Sequence, residues 1–385
     1  MPVVTCIDDL RRIAERRVAR AIFDYVSRGS YDEATLRANR DDLEALKFRQ
    51  RVAINVDQRS TKTTLLGQEV AMPLGIAPVG LTGLNWADGE ILGARAAARF
   101  GVPFTLSTMS ICSIEDLAGA GVPFWFQLYV FRDRGFAASL IERAKAAKCP
   151  ALVLTLDLQI QGQRHRDLKN GLTVPPRLTW GSFWDIAFKP SWAFNVLQSR
   201  RKSFGNLEGQ IKGADNLLTL SQWIAGQFDP TLSWKDVEWV KKLWGGKLVL
   251  KGILDAEDAK TAASAGADAI VVSNHGGRQL DGTVSSIRAL PEVVDAIGGA
   301  TARARSTCEV FFDGGVQSGQ DVLRALALGA RGAFIGKAFG WALGAMGEEG
   351  VSLALEILRK ELDVSMALCG LRDVRDASPA ILRLA

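Results

Sequence analysis

Residues 268–281 read Asp-Ala-Ile-Val-Val-Ser-Asn-His-Gly-Gly-Arg-Gln-Leu-Asp. A short apolar run ends abruptly in a polar cluster and two glycines. An apolar run of this length, bounded by turn residues, suits a strand covered on both faces, as in a parallel sheet. Seven other runs have the same form, at 74–77, 103–107, 124–129, 151–157, 247–251, 309–313 and 333–336. Ala-rich amphipathic stretches separate them, at 89–100, 137–147, 256–265 and 321–328. Eight strands alternating with helices, with no break in composition, predict an α/β chain closed into a (β/α)8 barrel, the TIM barrel, in preference to a doubly wound sheet.

Upstream, Ile7, Leu10, Ile13 and Ala14, then Ala21, Ile22, Tyr25 and Val26, recur at helical spacing. About three short helices are therefore expected before residue 45. One interval breaks the rhythm. Residues 158–231 contain no strand-like run, and the next helix is expected from Leu232. A long loop after strand four is usually functional or disordered. The whole chain, 1–385, reads as one domain.

Composition narrows the classes. The chain is 48% apolar and 23% charged, the balance of a globular protein with a large core. Its net charge of +5 is spread along the sequence, so a nucleic-acid partner is not expected. A mildly basic surface still favours anionic substrates or anionic lipid. The five cysteines (Cys6, Cys112, Cys149, Cys308 and Cys369) are odd in number, and none has metal-ligand spacing. They predict reduced thiols, no metal site and a cytoplasmic setting. Residues 1–20 carry Arg11, Arg12, Arg16 and Arg17 without an apolar core, so no signal peptide is expected. No charge-free apolar run is long enough to span a bilayer.

In a barrel of this kind, chemistry gathers at the C-terminal ends of the strands. Polar residues fall there. Gln127 and Tyr129 close the third run, Thr155 and Asp157 the fourth, and Lys251 the fifth. Ser273, Asn274 and His275 close the sixth, Asp313-Gly314-Gly315 the seventh, and Gly336-Lys337 the eighth. Six polar ends in phase imply a lined pocket. Glycine-bearing loops after strands seven and eight are where such barrels bind phosphate. No dinucleotide fingerprint or Walker loop is present. Of two histidines, His165 reads as exposed, between Arg164 and Arg166 in a loop. His275, at a strand end beside two glycines and Arg278, reads as a proton-transferring base, with Asp157 the carboxylate to hold it. Arg164 and Arg278 lie past strand ends and offer planar forks for a carboxylate.

These blocks resemble the FMN-dependent 2-hydroxy-acid dehydrogenases and oxidases over nearly the whole chain. The most specific is Val-Ser-Asn-His-Gly-Gly-Arg-Gln-Leu-Asp at 272–281. Others are Phe-Asp-Tyr at 23–25, Ile-Ala-Pro at 76–78, Phe-Gln-Leu-Tyr at 126–129, Leu-Thr-Leu-Asp at 154–157, Leu-Lys-Gly at 250–252 and Asp-Gly-Gly at 313–315. The stretch 158–171 is most similar to bacterial, membrane-associated, quinone-linked L-lactate dehydrogenases. The resemblance implies that FMN is the cofactor, His275 the base, and Asp157 the partner of its imidazolium. It implies that Tyr25, Arg164 and Arg278 hold a substrate carboxylate and that Tyr129 bonds the reacting oxygen. Lys251 would stabilise the anionic reduced flavin. Pro78, Val79, Gly80, Ser107, Gln127, Thr155 and Ser273 would line the flavin. Asp313, Gly314, Gly315, Gln317, Gly336 and Lys337 would hold the ribityl phosphate. The chain also departs from the family. Val79 stands for a common Thr, and Met109 for a pocket Trp. Gln317 and Lys337 each stand for an Arg, which predicts weaker retention of FMN.

Residues 177–205 carry Trp180, Trp184 and Trp192, four phenylalanines and Arg200-Arg201-Lys202. Aromatics beside a basic cluster predict an interfacial membrane anchor, against the alternatives of a lid or a subunit contact; the loop is bounded at 177–215. The expected activity is FMN-dependent oxidation of an (S)-2-hydroxy acid, L-lactate to pyruvate, with electrons passed to quinone at the cytoplasmic face of the inner membrane. The family suggests a homotetramer. The competing readings are a soluble 2-hydroxy-acid oxidase using O₂ and, from another class, an FMN-binding isomerase or non-redox binding protein.

Overall fold

The computed structural model describes residues 3–172, 179–208, 223–224, 226–298 and 308–383. Three helices come first: α1 (Ile7–Arg17), α2 (Arg20–Ser27) and α3 (Ala34–Ala45). The barrel strands are β1 (Leu74–Ile76), β2 (Thr105–Ser107), β3 (Trp125–Leu128), β4 (Ala151–Thr155), β5 (Lys247–Ile253), β6 (Ala269–Val272), β7 (Glu309–Asp313) and β8 (Gly332–Ile335). Neighbours pair in parallel from β2 round to β8, and β8 pairs with β1. The ring is completed between β1 and β2, where the Ile76 N–H donates to the Pro103 carbonyl at 2.8 Å. The expected (β/α)8 barrel is the fold. Strand ends fall within two residues of the ends of the apolar runs, with β5 running two residues past its run and Tyr129, Asp157 and Asn274 left in the loops just beyond their strands.

Further α-helices among the described residues include α4 (Gly89–Phe100), α5 (Ile114–Gly119), α6 (Arg134–Ala146), α7 (His165–Lys169), α8 (Trp180–Ala187), α9 (Pro190–Gln198), α10 (Trp234–Trp244), α11 (Ala256–Ser264), α12 (Ser286–Ala296), α13 (Gly319–Ala327) and α14 (Lys337–Leu368), the last kinked at Met346-Gly347. Helix α10 begins two residues after Leu232 because Ser233 caps it, with Asp236 completing the box.

Alternation along a strand sets the barrel's contents. Trp125, Val153, Val249, Val271, Phe311 and Phe334 form one buried cluster. The Trp125, Phe311 and Phe334 rings sit 5.5–6.2 Å apart. Two residues on, the same faces carry Gln127, Thr155, Lys251, Ser273, Asp313 and Gly336. An aromatic floor therefore carries a polar layer at the C-terminal mouth, which is where the site is built.

The segment after β4 is not a plain loop. Within it lie α7, α8 and α9, so His165 opens a short helix, though its ring stays exposed as expected. Residues 177–178 and 209–215 of the anticipated anchor lie outside the described residues. The rest is more divided than composition implied. Trp180 and Phe188 are 82% and 81% exposed, with Trp184 and Phe194 also exposed. Trp192 is only 8% exposed and donates its indole N–H to the Leu84 carbonyl at 2.8 Å; Phe204 is also buried. Arg201 is bound by Asp88 (2.7 Å) and Asp116 (2.8 Å). Apolar and basic content alone could not separate docking residues from free ones. Lys189 donates to the Glu15 and Val18 carbonyls, and the Asp185 carboxylate accepts the Arg20 N–H, tying this hairpin to the α1–α2 junction.

Candidate active site

A cavity of about 440 Å³ opens at the C-terminal mouth of the barrel. Tyr25, Pro78, Val79, Gly80, Ser107, Tyr129, Thr155, Arg164, Lys251, His275, Arg278, Asp313, Gly314, Gly315, Gln317, Gly336 and Lys337 all line it. Three other anticipated residues stand one layer behind. Gln127 accepts a hydrogen bond from the Ser107 hydroxyl at 3.0 Å. Ser273 accepts from Lys251 Nζ at 2.9 Å and from the His275 N–H at 3.1 Å. Asp157 holds His275.

His275 Nδ1 and Asp157 Oδ1 are 2.9 Å apart. His275 takes a left-handed φ of +58°, uncommon for a residue with a side chain and of the kind retained at functional sites. Gly252, at a register shift in β5, explains how Asp157 fits: a Cβ there would lie 2.7 Å from the Asp157 side chain. Burial lowers the His275 pKa below its ordinary value, with Asp157 opposing and Lys251 assisting. Burial pushes the Asp157 carboxyl up, but the His275 and Lys251 charges outweigh it and hold it below the ordinary value. The pair is thus a neutral imidazole oriented by a carboxylate, a base ready to accept a proton.

Lys251 is buried beneath the pocket, 3.4 Å from Asp313. Burial works against its charge, yet Asp313 and Asp157 keep its pKa above the usual lysine value. Arg164 and Arg278 share one wall. Burial, then the Arg278 charge, pushes Arg164 down to about 10, so it still carries its charge at neutral pH. The Arg278 guanidinium lies over the Tyr25 ring, 4.6 Å from its centroid. Burial, then the Asp157 charge, raises the Tyr129 phenol, which stays protonated as a donor. Two guanidinium groups and two phenols beside a base form a receptor for a carboxylate with an adjacent hydroxyl.

Other atoms suit a planar, phosphate-bearing cofactor. Gln127 Nε2 and Thr155 Oγ1 are buried at this level without partners, and buried polar atoms left so are costly. Helix α13 is capped by its own Ser318–Asp321 box, and Asp321 also takes the Gln317 and Ser318 N–H groups. Helix α14 has no side-chain cap, so its N-terminal N–H groups beside Gly336 remain for an anion. An added Cβ at Gly336 would meet nothing nearer than 3.7 Å, leaving the backbone open there.

Sequence reasoning missed Asp167, a buried carboxyl lining the cavity whose pKa burial raises against the pull of Arg278 and Arg164. Its position three residues after Arg164, at helical spacing, was the available signal. It also missed Leu158, Phe204, Ile224 and Phe228, an apolar wall drawn from segments without a strand rhythm. Among the described residues, no cluster suits a metal ion.

Residues 14–384 match the family model described as FMN-dependent dehydrogenase. The chain is 46% identical over 382 residues to an L-lactate dehydrogenase of Caulobacter vibrioides, covering 99% of this chain and 98% of that one. It is 45% identical over 385 residues to an L-lactate dehydrogenase of Pseudomonas syringae, with the same two coverages. A solved structure of the monotopic membrane protein (S)-mandelate dehydrogenase superimposes with a TM-score of 0.93 at 34% identity, covering 99% of this chain and 100% of that one. A mandelate oxidase structure gives 0.82 at 37% identity, covering 99% and 98%.

Proposed function

We propose, from the premise that this chain belongs to the FMN-dependent dehydrogenase family, that it oxidises L-lactate to pyruvate and passes the electrons to a membrane quinone. The observation that carries the reading is the His275–Asp157 pair sharing a cavity with Arg164 and Arg278.

Oxidation of a 2-hydroxy acid removes two electrons and two protons. FMN, when bound, would supply the acceptor for the two electrons and the α-hydrogen. Arg164, Arg278 and Tyr25 bind the substrate carboxylate and so orient the α-carbon. Tyr129 donates to the substrate oxygen. His275 Nε2 accepts the hydroxyl proton, and Asp157 stabilises the imidazolium that forms. Gln127 Nε2, Thr155 Oγ1, Ser107 and the backbone at Pro78, Val79 and Gly80 would hold the isoalloxazine. Gly314, Gly315, Gly336 and the α14 N-terminus would hold the phosphate, with Gln317 beside it. Lys251 would set a buried positive charge beside the isoalloxazine, where negative charge develops.

The membrane reading rests on Trp180, Phe183, Trp184, Phe188 and Phe194, exposed aromatics of α8, its C-cap and α9. Among the described residues, no helix is long and apolar enough to cross a membrane. The likeness to a monotopic membrane protein supports peripheral attachment; we place it on the cytoplasmic side, in a homotetramer. Anaerobic addition of L-lactate to the FMN-loaded protein tests the reaction. Bleaching that is reversed by a quinone analogue supports the whole reading. Bleaching reversed only by O₂ would replace the acceptor.

A further inference from the structure

Lys337 follows β8 and opens α14, so position alone assigns it to the cofactor phosphate. Its ammonium is engaged elsewhere. Nζ donates to the Val26 carbonyl at 3.1 Å and the Arg28 carbonyl at 3.2 Å. Both lie at the C-terminal end of α2, whose C-cap is Arg28. Arg278 Nη1 grips the same end, donating to the Tyr25 carbonyl and, at 3.0 Å, to that of Arg28. One carbonyl thus receives both cations. The last carbonyls of a helix have no partner within it and carry its negative pole, so two half-buried basic side chains that donate to them are a strong fastening.

Helix α2 also carries Tyr25, whose ring lies under the Arg278 guanidinium. Fastening α2 therefore sets the height of the Tyr25 phenol and, through the shared Arg28 carbonyl, the aim of Arg278. Burial, then the Arg278 and Arg164 charges, pushes the Lys337 amine well below its ordinary value, with the Glu33 and Asp167 charges opposing. Lysine is a single point donor that two carbonyls already occupy.

We propose that Lys337 is a positioning residue for the substrate clamp, holding α2 so that Tyr25 and Arg278 converge on the carboxylate, and that FMN affinity does not depend on it. The inference deepens the reading of a 2-hydroxy-acid site and rests on it; bleaching of the unaltered holoenzyme by L-lactate tests that reading separately.

The test uses Lys337→Met and Lys337→Arg. FMN affinity is read from quenching of flavin fluorescence on titrating the apoprotein. KM is read at saturating FMN, and oxalate, a dicarboxylate probe, is titrated by its perturbation of the bound flavin spectrum. Lys337→Met is expected to raise KM and the oxalate dissociation constant at least about tenfold, the scale of a lost charge-assisted hydrogen bond. The FMN dissociation constant should move less than about threefold, within the spread of such contributions, and Lys337→Arg should restore part of the loss. A double-mutant cycle with Tyr25→Phe should be non-additive in KM, because both act through one clamp. A general structural lesion would leave the two additive. Unchanged KM and oxalate binding in Lys337→Met, with weaker FMN, would overturn the proposal. If Lys337→Met does not fold, Lys337→Leu, which also removes the donor to the α2 carbonyls, takes its place with the same criteria.

Discussion

His275 Nδ1 sits 2.9 Å from Asp157 Oδ1, although 118 residues separate them in the chain. The carboxylate lies just past β4 and the imidazole just past β6, and the strand between them yields a glycine at 252 where a side chain would force Asp157 away. The contact directs His275 Nε2 to the cavity and gives it an acceptor tautomer.

This pair makes the pH profile informative. Burial holds His275 below its ordinary value near 6.5, and only the neutral ring accepts a proton. The rate should therefore rise with pH along a limb below about 6.5 and be level at neutral pH. Asp157→Asn removes the charge that opposes burial, so the limb should move to lower pH. The plateau should fall by about 10²–10⁴, the usual worth of general base catalysis. A limb that moves upward, or an unchanged plateau, would contradict the assignment. Steady-state kcat/KM across pH reads both.

The arginines make a second prediction. Arg164→Met or Arg278→Met should each raise KM by about ten- to a hundredfold, from roughly 1.5–3 kcal/mol per charge-assisted bond. Arg278→Lys should recover little, because an ammonium cannot reproduce the fork. Initial rates with the FMN-loaded variants measure this.

The aromatic segment separates into two behaviours. Trp180→Ser with Phe188→Ser should weaken sedimentation with anionic liposomes and leave Tm and activity with a soluble dye acceptor unchanged. Trp192→Ala should instead destabilise by about 3–5 kcal/mol, the range for emptying a buried Trp site. If Trp180→Ser and Phe188→Ser retain full liposome binding, α8 is not the contact.

The phosphate end gives a fourth. Gln317 lines the cavity beside the open α14 N-terminus. Gln317→Arg should lower the FMN dissociation constant about tenfold, at the lower end of a new ionic bond. Fluorescence titration of the apoprotein decides it; weaker binding would place the phosphate elsewhere.

The barrel and most of the site were legible in the sequence for one reason. A strand's period of two converts an apolar run with a polar end into a plugged floor with a functional rim, and Lys251, Ser273 and Asp313 follow from that rule alone. The resemblance supplied roles that spacing could not, such as those of Tyr25 and Tyr129. What stayed hidden depends on tertiary contact. Trp192 and Arg201 share the composition of their exposed neighbours and are distinguished only by what they touch. The partners of Lys337 lie in α2, more than 300 residues away, and no local pattern announces them. Asp167 and the wall of Leu158, Phe204, Ile224 and Phe228 come from segments without periodicity.

The account turns on whether His275 is the base for oxidation of a 2-hydroxy acid by the bound flavin. The direct measurement is anaerobic stopped-flow mixing of L-lactate with FMN-loaded wild type and His275→Gln, following the visible absorbance of oxidised flavin. Bleaching should be fast in wild type and at least about a hundredfold slower in the variant, with FMN still bound in both. Equal rates in the two proteins would contradict the assignment of His275, and no bleaching in wild type by L-lactate would contradict the proposed substrate.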